Sequence, residues 1–302
     1  MFHSRISTSV ISANPETTTA NYPDDMSVEH HILPNDQPVV SLEARKAFEL
    51  LTEREQLYAH YISRASIFGG LAVLLQTSPE SPQIFRLMQR INRAQPLSEL
   101  KEVVAPKAGL SEDDFTAYLV YNSGVLANMG NYKGFGDSKI VPNVTADKFE
   151  AFIKASKAYA NDSATMDSIW NDVKERMYSI TARQKQLGLG DKGVTKYFSD
   201  NCTLEDSDKI NRFFKAKNIE GYINRAFKTV NDQGKTVYEI RNAGAVDKVL
   251  ITEEFEDSVF NVTSGDYGKL MQWTNDNLEL AKKYTANDDE TNMVSEYIKS
   301  FR

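Results

Sequence analysis

The chain has 302 residues, 41% hydrophobic and 25% charged, with a formal net charge of −7. That length allows a sizeable core, and the acidic balance argues against partners made of nucleic acid or an anionic membrane surface. A single cysteine, Cys202, excludes an internal disulfide scaffold.

The first 26 residues are rich in Ser, Thr, Asn and Pro, with Arg5 the only Lys or Arg. This composition predicts a disordered tail. It is poor in the arginines of a mitochondrial presequence, so mitochondrial targeting is kept only as an alternative. Residues 41–79 carry apolar side chains at three- and four-residue spacing, as an amphipathic helix requires. Thr52 followed by Glu55 reads as a capping box, which splits the stretch into two helices meeting near Leu51. The apolar run 67–75 is too short for the roughly 20 residues of a membrane span. Gly69 and Gly70 inside the second helix predict close helix packing, and Pro79 and Pro82 predict its end.

Helical patterns continue over 82–93, 97–104, 111–129, 145–158, 163–187 and 203–217. Ser111 with Asp114 is another start signal. Near Gly221 the period changes to that of strands. A hairpin is expected with its turn at 232–234, followed by strands in KVLITEEF and SVFNVT. Helices over 266–284 and 287–301 close the chain. The expected class is α+β: a tail over 1–26, a mainly helical part over 27–220, an antiparallel β region over 221–263 and helices over 264–302. The closing residues EYIKSFR read as helix interior, so the chain is expected to stop inside a larger architecture.

The usual chemical motifs are absent or poorly placed. The four histidines, His3, His30, His31 and His60, show no His-x-x-x-His spacing, and one cysteine cannot form Cys-x-x-Cys, so no metal site is expected within this chain. Cys202 has no neighbouring histidine and reads as a buried thiol. Gly188, Gly190 and Gly193 match Gly-x-Gly-x-x-Gly, but a helical pattern rather than a strand precedes them, so Gly188 reads as a helix C-terminal glycine. Acidic runs at 113–114, 253–257 and 288–290 read as solvated charge, and no catalytic residue is assigned.

The stretch NMGNYKGFGDSKIVPN, residues 128–143, stands apart. Gly130 reads as a helix end, Gly134 and Gly136 as positive-φ positions, and Pro142 as a stop. Glycines alone do not explain why Tyr132, Lys133, Phe135, Asp137 and Lys139 crowd into it. A rigid loop displaying aromatic and charged groups is what a binding surface needs.

This stretch resembles a segment of the dipeptidyl-peptidase III family of zinc exopeptidases. So do ILPND at 32–36, SRASIFGGLAVLLQTSPESP at 63–82, LGLGDKGVTKYFSDNCTLED at 187–206 and SGDYGKL at 264–270, in the same order. The resemblance covers roughly residues 30–302. It implies the N-terminal part of a two-lobed cytosolic peptidase that removes dipeptides from short peptides, with a small β-barrel in its lower lobe and zinc in the upper one. The chain lacks the family's His-Glu-x-x-x-His, so no zinc ligand is carried over, and it is expected to be inactive alone and monomeric when intact. By the resemblance, Phe135 faces the peptide cleft. Asn131, Tyr132, Lys133, Gly136 and Asp137 match the same pattern and are expected to hold the loop's shape, while Gly134 stands where relatives often have Ser. The alternative is a stand-alone, non-catalytic peptide- or protein-binding module.

Overall fold

The computed structural model describes residues 28–38, 40 and 43–302. The tail expected over 1–26 lies outside these residues. Capping chemistry sets the helix starts. α1 spans Arg45–Glu49, and α2 runs Glu53–Thr77 behind a complete Thr52/Glu55 capping box. α3 spans Ser81–Ala94, with Pro82 in its first turn rather than terminating α2. α4 (Leu97–Glu99), a π-helical stretch (Leu100–Val104) and α5 (Ala105–Lys107) follow without a break. α6 (Glu112–Asn128) starts from the Ser111/Asp114 capping box. Ser156 divides the next predicted helix into α7 (Ala146–Ala155) and α8 (Lys157–Asn161), because its hydroxyl accepts from the Tyr159 amide and starts a new helix.

α9 spans Ser163–Tyr178, nine residues short of the predicted end. The residues beyond it spend their backbone groups elsewhere. The Lys139 amide donates to the Lys185 carbonyl at 2.9 Å, and the Leu187 amide donates to the Asp137 carbonyl at 2.9 Å. Long-range pairing therefore overrides the helical pattern. Gly188 is consequently not a helix C-terminal glycine. Its neighbourhood is a tight crossing, in which a Cβ on Gly193 would lie 2.4 Å from the Gly188 nitrogen.

α10 (Leu204–Lys217) again begins at a capping box, Thr203 with Asp206. The strands are β1 (Asn224–Val230), β2 (Thr236–Ala243), β3 (Lys248–Phe255) and β4 (Ser258–Asp266). They form one sheet in the order β1-β2-β4-β3. The β1–β2 and β3–β4 pairs are antiparallel, but β2 and β4 are parallel, so the sheet is mixed rather than antiparallel throughout. The reason is amphipathic. β4 buries Ser258, Phe260 and Val262 and takes an inner place beside β2, whereas β3, with Lys248, Glu253 and Glu254, is left at the edge. The sheet is open, as a partial barrel would be. α11 (Gly268–Ala281) and α12 (Asp288–Ser300) complete the α+β fold.

The described residues form three apolar clusters. The largest joins α3, α6, α7 and α9, with Phe149 stacked on Trp170 at 5.4 Å. The second packs α10 on the sheet through Phe213, Tyr238, Ile240 and Phe260. The third joins α2, α11 and α12 through Ala65, Leu278, Val294 and Ile298. A Cβ on Gly70 would lie 3.1 Å from the Met129 methyl, as close packing predicts, but one on Gly69 would meet open space.

Candidate functional site

α6 ends on Met129, a non-glycine residue in the left-handed region (φ 49°), so Met129 rather than Gly130 makes the turn out of the helix. Gly130 is required for a different reason: a Cβ there would lie 2.5 Å from the Thr77 methyl and 2.6 Å from the Ser81 hydroxyl. The chain then doubles back on itself. The Lys133 amide donates to the Ser138 carbonyl at 2.9 Å, and Tyr132 and Lys139 form an isolated antiparallel bridge. Gly136 (φ 90°) and Asp137 (φ 56°) turn the tip, whereas Gly134 does not have positive φ. The Gly134 amide instead donates to the Asn128 side chain at 2.9 Å.

Beneath the tip lies a buried polar network. Asn131 is fully enclosed. Its Oδ1 accepts from the hydroxyls of Ser78 (2.8 Å) and Ser81 (2.9 Å), and its Nδ2 donates to Glu80 Oε1 at 2.9 Å. The Tyr132 hydroxyl donates to the Gln184 carbonyl at 2.9 Å, and burial holds this phenol well above its ordinary range. Lys139 has no exposed side-chain surface and lies 3.7 Å from Glu80. Burial pulls its ammonium down to about 8, partly offset by the Glu80 carboxylate. His31 closes the base from below. Its Nδ1 meets the Lys139 carbonyl at 3.1 Å, and burial lowers its pKa.

The contrast with the tip is large. Phe135 is 98% exposed, while Gly136 and Asp137 are exposed and Lys133 is partly covered. The structure thus brings the six sequence-selected residues into one small turn. Asn131 and Tyr132 lie at its root, and Lys133, Phe135, Gly136 and Asp137 lie at its surface. Gly134 and Asp137 also border a cavity of about 950 Å³, walled by Leu189, Phe198, Ile210 and Phe214. On its wall sits Asn224, which is buried, with Nδ2 donating to the Glu220 carbonyl and Oδ1 without a partner. A larger apolar concavity, about 1210 Å³ between α2, α11 and α12, shares only Tyr222 with it and is lined by no charged side chain.

Sequence reasoning overlooked Ser78, Glu80 and Ser81, and it placed Lys139 on the surface of the loop. A signal was present: Lys139 directly precedes the apolar pair Ile140 and Val141, both of which are buried. Cys202 is buried and its thiol is pushed up by burial, as expected of a structural cysteine.

Among the described residues, no group of three or more His, Cys, Asp or Glu side chains is gathered to hold a metal ion. His31 spends a ring nitrogen on a backbone carbonyl, and His60 packs edge-on against Tyr61. These residues do not fit a zinc centre.

The profile of Peptidase family M49 matches residues 169–302. The chain is 44% identical over 286 residues to Dipeptidyl peptidase 3 of Rattus norvegicus, covering 91% of this chain and 39% of that protein. It is 37% identical over 292 residues to the Nematostella vectensis protein of the same name, and 36% over 275 residues to that of Dictyostelium discoideum. The resemblance read from the sequence to the dipeptidyl-peptidase III family is thereby shown. The chain spans about two fifths of the length of these relatives.

Proposed function

We propose that this chain supplies one wall of the peptide-binding cleft of a dipeptidyl-peptidase III-type enzyme, with Phe135 as the side chain presented to the peptide. The observation that carries this reading is the contrast at the loop. An aromatic ring that gains nothing from the fold stands 98% exposed on a base whose root, Asn131, is fully buried. Folding alone does not reward an exposed phenylalanine on so rigid a mount, whereas an apolar ligand contact does. The similarity to proteins named Dipeptidyl peptidase 3 supports peptides as the ligand class.

On this reading the ligands are short peptides, the compartment is the cytoplasm, and the assembled enzyme is a monomer. Zinc, when bound in such an enzyme, activates water for attack on the peptide bond, and its ligands come from outside this chain. The residues here orient the peptide. Phe135 offers an apolar face, and the cavity beside it offers apolar walls with one unsatisfied acceptor at Asn224.

The test is dipeptide release from a dipeptidyl-naphthylamide by the purified chain, with and without added zinc and chelator. No release is expected in any condition, together with measurable binding of a short peptide that weakens in Phe135→Ala. Chelator-sensitive release by this chain alone, or peptide binding indifferent to Phe135, would overturn the reading.

A further inference from the structure

Lys139 follows the tip of the loop by two residues, yet its side chain is wholly enclosed. Burying an ammonium is unfavourable unless its protons find acceptors. Here Nζ donates to the carbonyls of Arg176 (2.5 Å) and Ser179 (3.0 Å). These lie at the C-terminal end of α9, where helix carbonyls lack partners and a positive charge is favoured. Nζ also lies 3.7 Å from Glu80 and 5.4 Å from the centre of the Tyr132 ring. One side chain therefore joins the turn between α2 and α3, the loop, and the end of α9.

We infer that Lys139 is the positioning residue of the Phe135 loop: its buried Nζ, seated between Glu80 and the carbonyl end of α9, fixes how Phe135 is presented, and the loop leaves only by withdrawing it. The inference rests on the reading of this loop as part of a peptide-binding wall. It also gives the loop a proton linkage. The seat holds the ammonium at about 8, against 10.5 for a free lysine. The seated loop therefore binds this proton less readily than a released one. Raising the pH from about 8 toward 10.5 favours the seated form, and protonation favours release.

The other titratable groups facing the seat are Glu80 from the α2–α3 turn, His31 from below, Tyr132 in the loop, and Tyr121 of α6 near Glu80. Lys133 faces His31. Burial holds both tyrosines above this window, and it lowers His31 below its ordinary value, so none of these three titrates within it.

The experiment is pulsed hydrogen exchange on the full chain, read at the amides of Lys133, Lys139 and Ile140 with α6 as internal reference, each corrected for intrinsic exchange. Between about pH 7 and about pH 9.5, loop protection is expected to rise at least about tenfold relative to α6. In Lys139→Met the rise should vanish, and loop protection at neutral pH should drop while α6 holds. Should Lys139→Met fail to fold, Glu80→Gln serves instead: without the carboxylate that raises the ammonium's pKa, the rise should begin at lower pH. Wild-type loop protection that follows α6 across the range, or an unchanged profile in Glu80→Gln, would overturn the inference. No peptide is present in this experiment. A loop that shows the slope in a chain that binds no peptide would therefore defeat the cleft-wall reading and leave the role of Lys139 standing.

Discussion

The loop at 128–143 and the sheet at 224–266 are held by opposite means. Beneath the loop the contacts are polar and come from distant parts of the chain: Ser78, Glu80 and Ser81 on one side, Arg176, Ser179 and Gln184 on the other. Beneath the sheet the contacts are aromatic. Phe213 stacks on Phe260 at 4.0 Å, and Tyr238 and Phe255 pack around the pair. Both regions also bury charge. Lys139 lies under the loop beside the buried Glu80, and Asp206 lies under the sheet, bonded to Tyr238 and Lys228. Polar contacts give a fixed geometry for modest net energy, because each exchanges a bond to water for a bond to protein. Apolar stacking gives energy with less directional demand. A surface that must present one side chain in one place is built by the first means, and a scaffold by the second.

Breaking the sheet should therefore cost the most. Phe260→Ala removes a fully buried ring from the centre of the second cluster, and a loss of about 3–5 kcal/mol is expected. Urea unfolding would read it as a lower midpoint, with a loss below about 1 kcal/mol contradicting the assignment of that cluster as the sheet's support. Breaking the loop's root should cost less. Asn131→Ala leaves Ser78, Ser81 and Glu80 each short of a partner, for which about 2–3 kcal/mol is expected. Much of this change should appear as local loosening of residues 131–139 in hydrogen exchange. A uniform loss of protection across α6 and α9 would show that the network supports the whole helical core instead.

These contrasts explain what the sequence disclosed. Three helix starts, at Thr52, Ser111 and Thr203, were legible or nearly so, because a capping box lies within four residues. The hairpin turn at 232–234 was legible for the same reason of locality, and Gly234 has the positive φ it needs. The parallel β2–β4 pairing was not, since strand order depends on which strand buries the better face. The end of α9 was misread because residues 181–187 carry a helical pattern, yet the Lys185 carbonyl and the Leu187 amide bond to the loop. At the site, the tip could be picked out by its odd composition. Its base could not, because Glu80 and Lys139 are 59 positions apart and nothing local marks them as a pair.

Acid offers a finer separation of the two regions. Burial pushes the Asp206 carboxyl upward, but the donors Lys228, Tyr238 and Thr203 outweigh it and hold the group at about 2. A depressed carboxylate contributes stability that is complete above its ordinary value of about 3.9 and is lost as pH falls through about 2. The expected loss is about 1–2 kcal/mol, discounted for the partly solvated Lys228 partner. Asp206→Asn should lower stability at neutral pH and flatten that acid limb. An acid limb that is as steep in the variant as in the wild type would assign it to other carboxylates. Lys139 titrates at the alkaline end, so the sheet and the loop should respond at opposite ends of the pH scale.

The smallest effect on stability is expected where the proposed effect on function is largest. Phe135 is 98% exposed. Phe135→Ala should therefore leave the unfolding free energy within about 0.5 kcal/mol of wild type. The same substitution should weaken short-peptide binding, since the apolar face it removes is the one the loop is built to present. The two measurements must be made on the same preparation, because their difference is what matters. A neutral change in stability with weakened binding places the ring at the ligand. A stability loss above about 1 kcal/mol would mean that the ring packs against something in solution. Phe135 would then belong with Phe260 among the residues that hold the fold, and the contrast between a polar mount and an exposed tip would fail at its most important point.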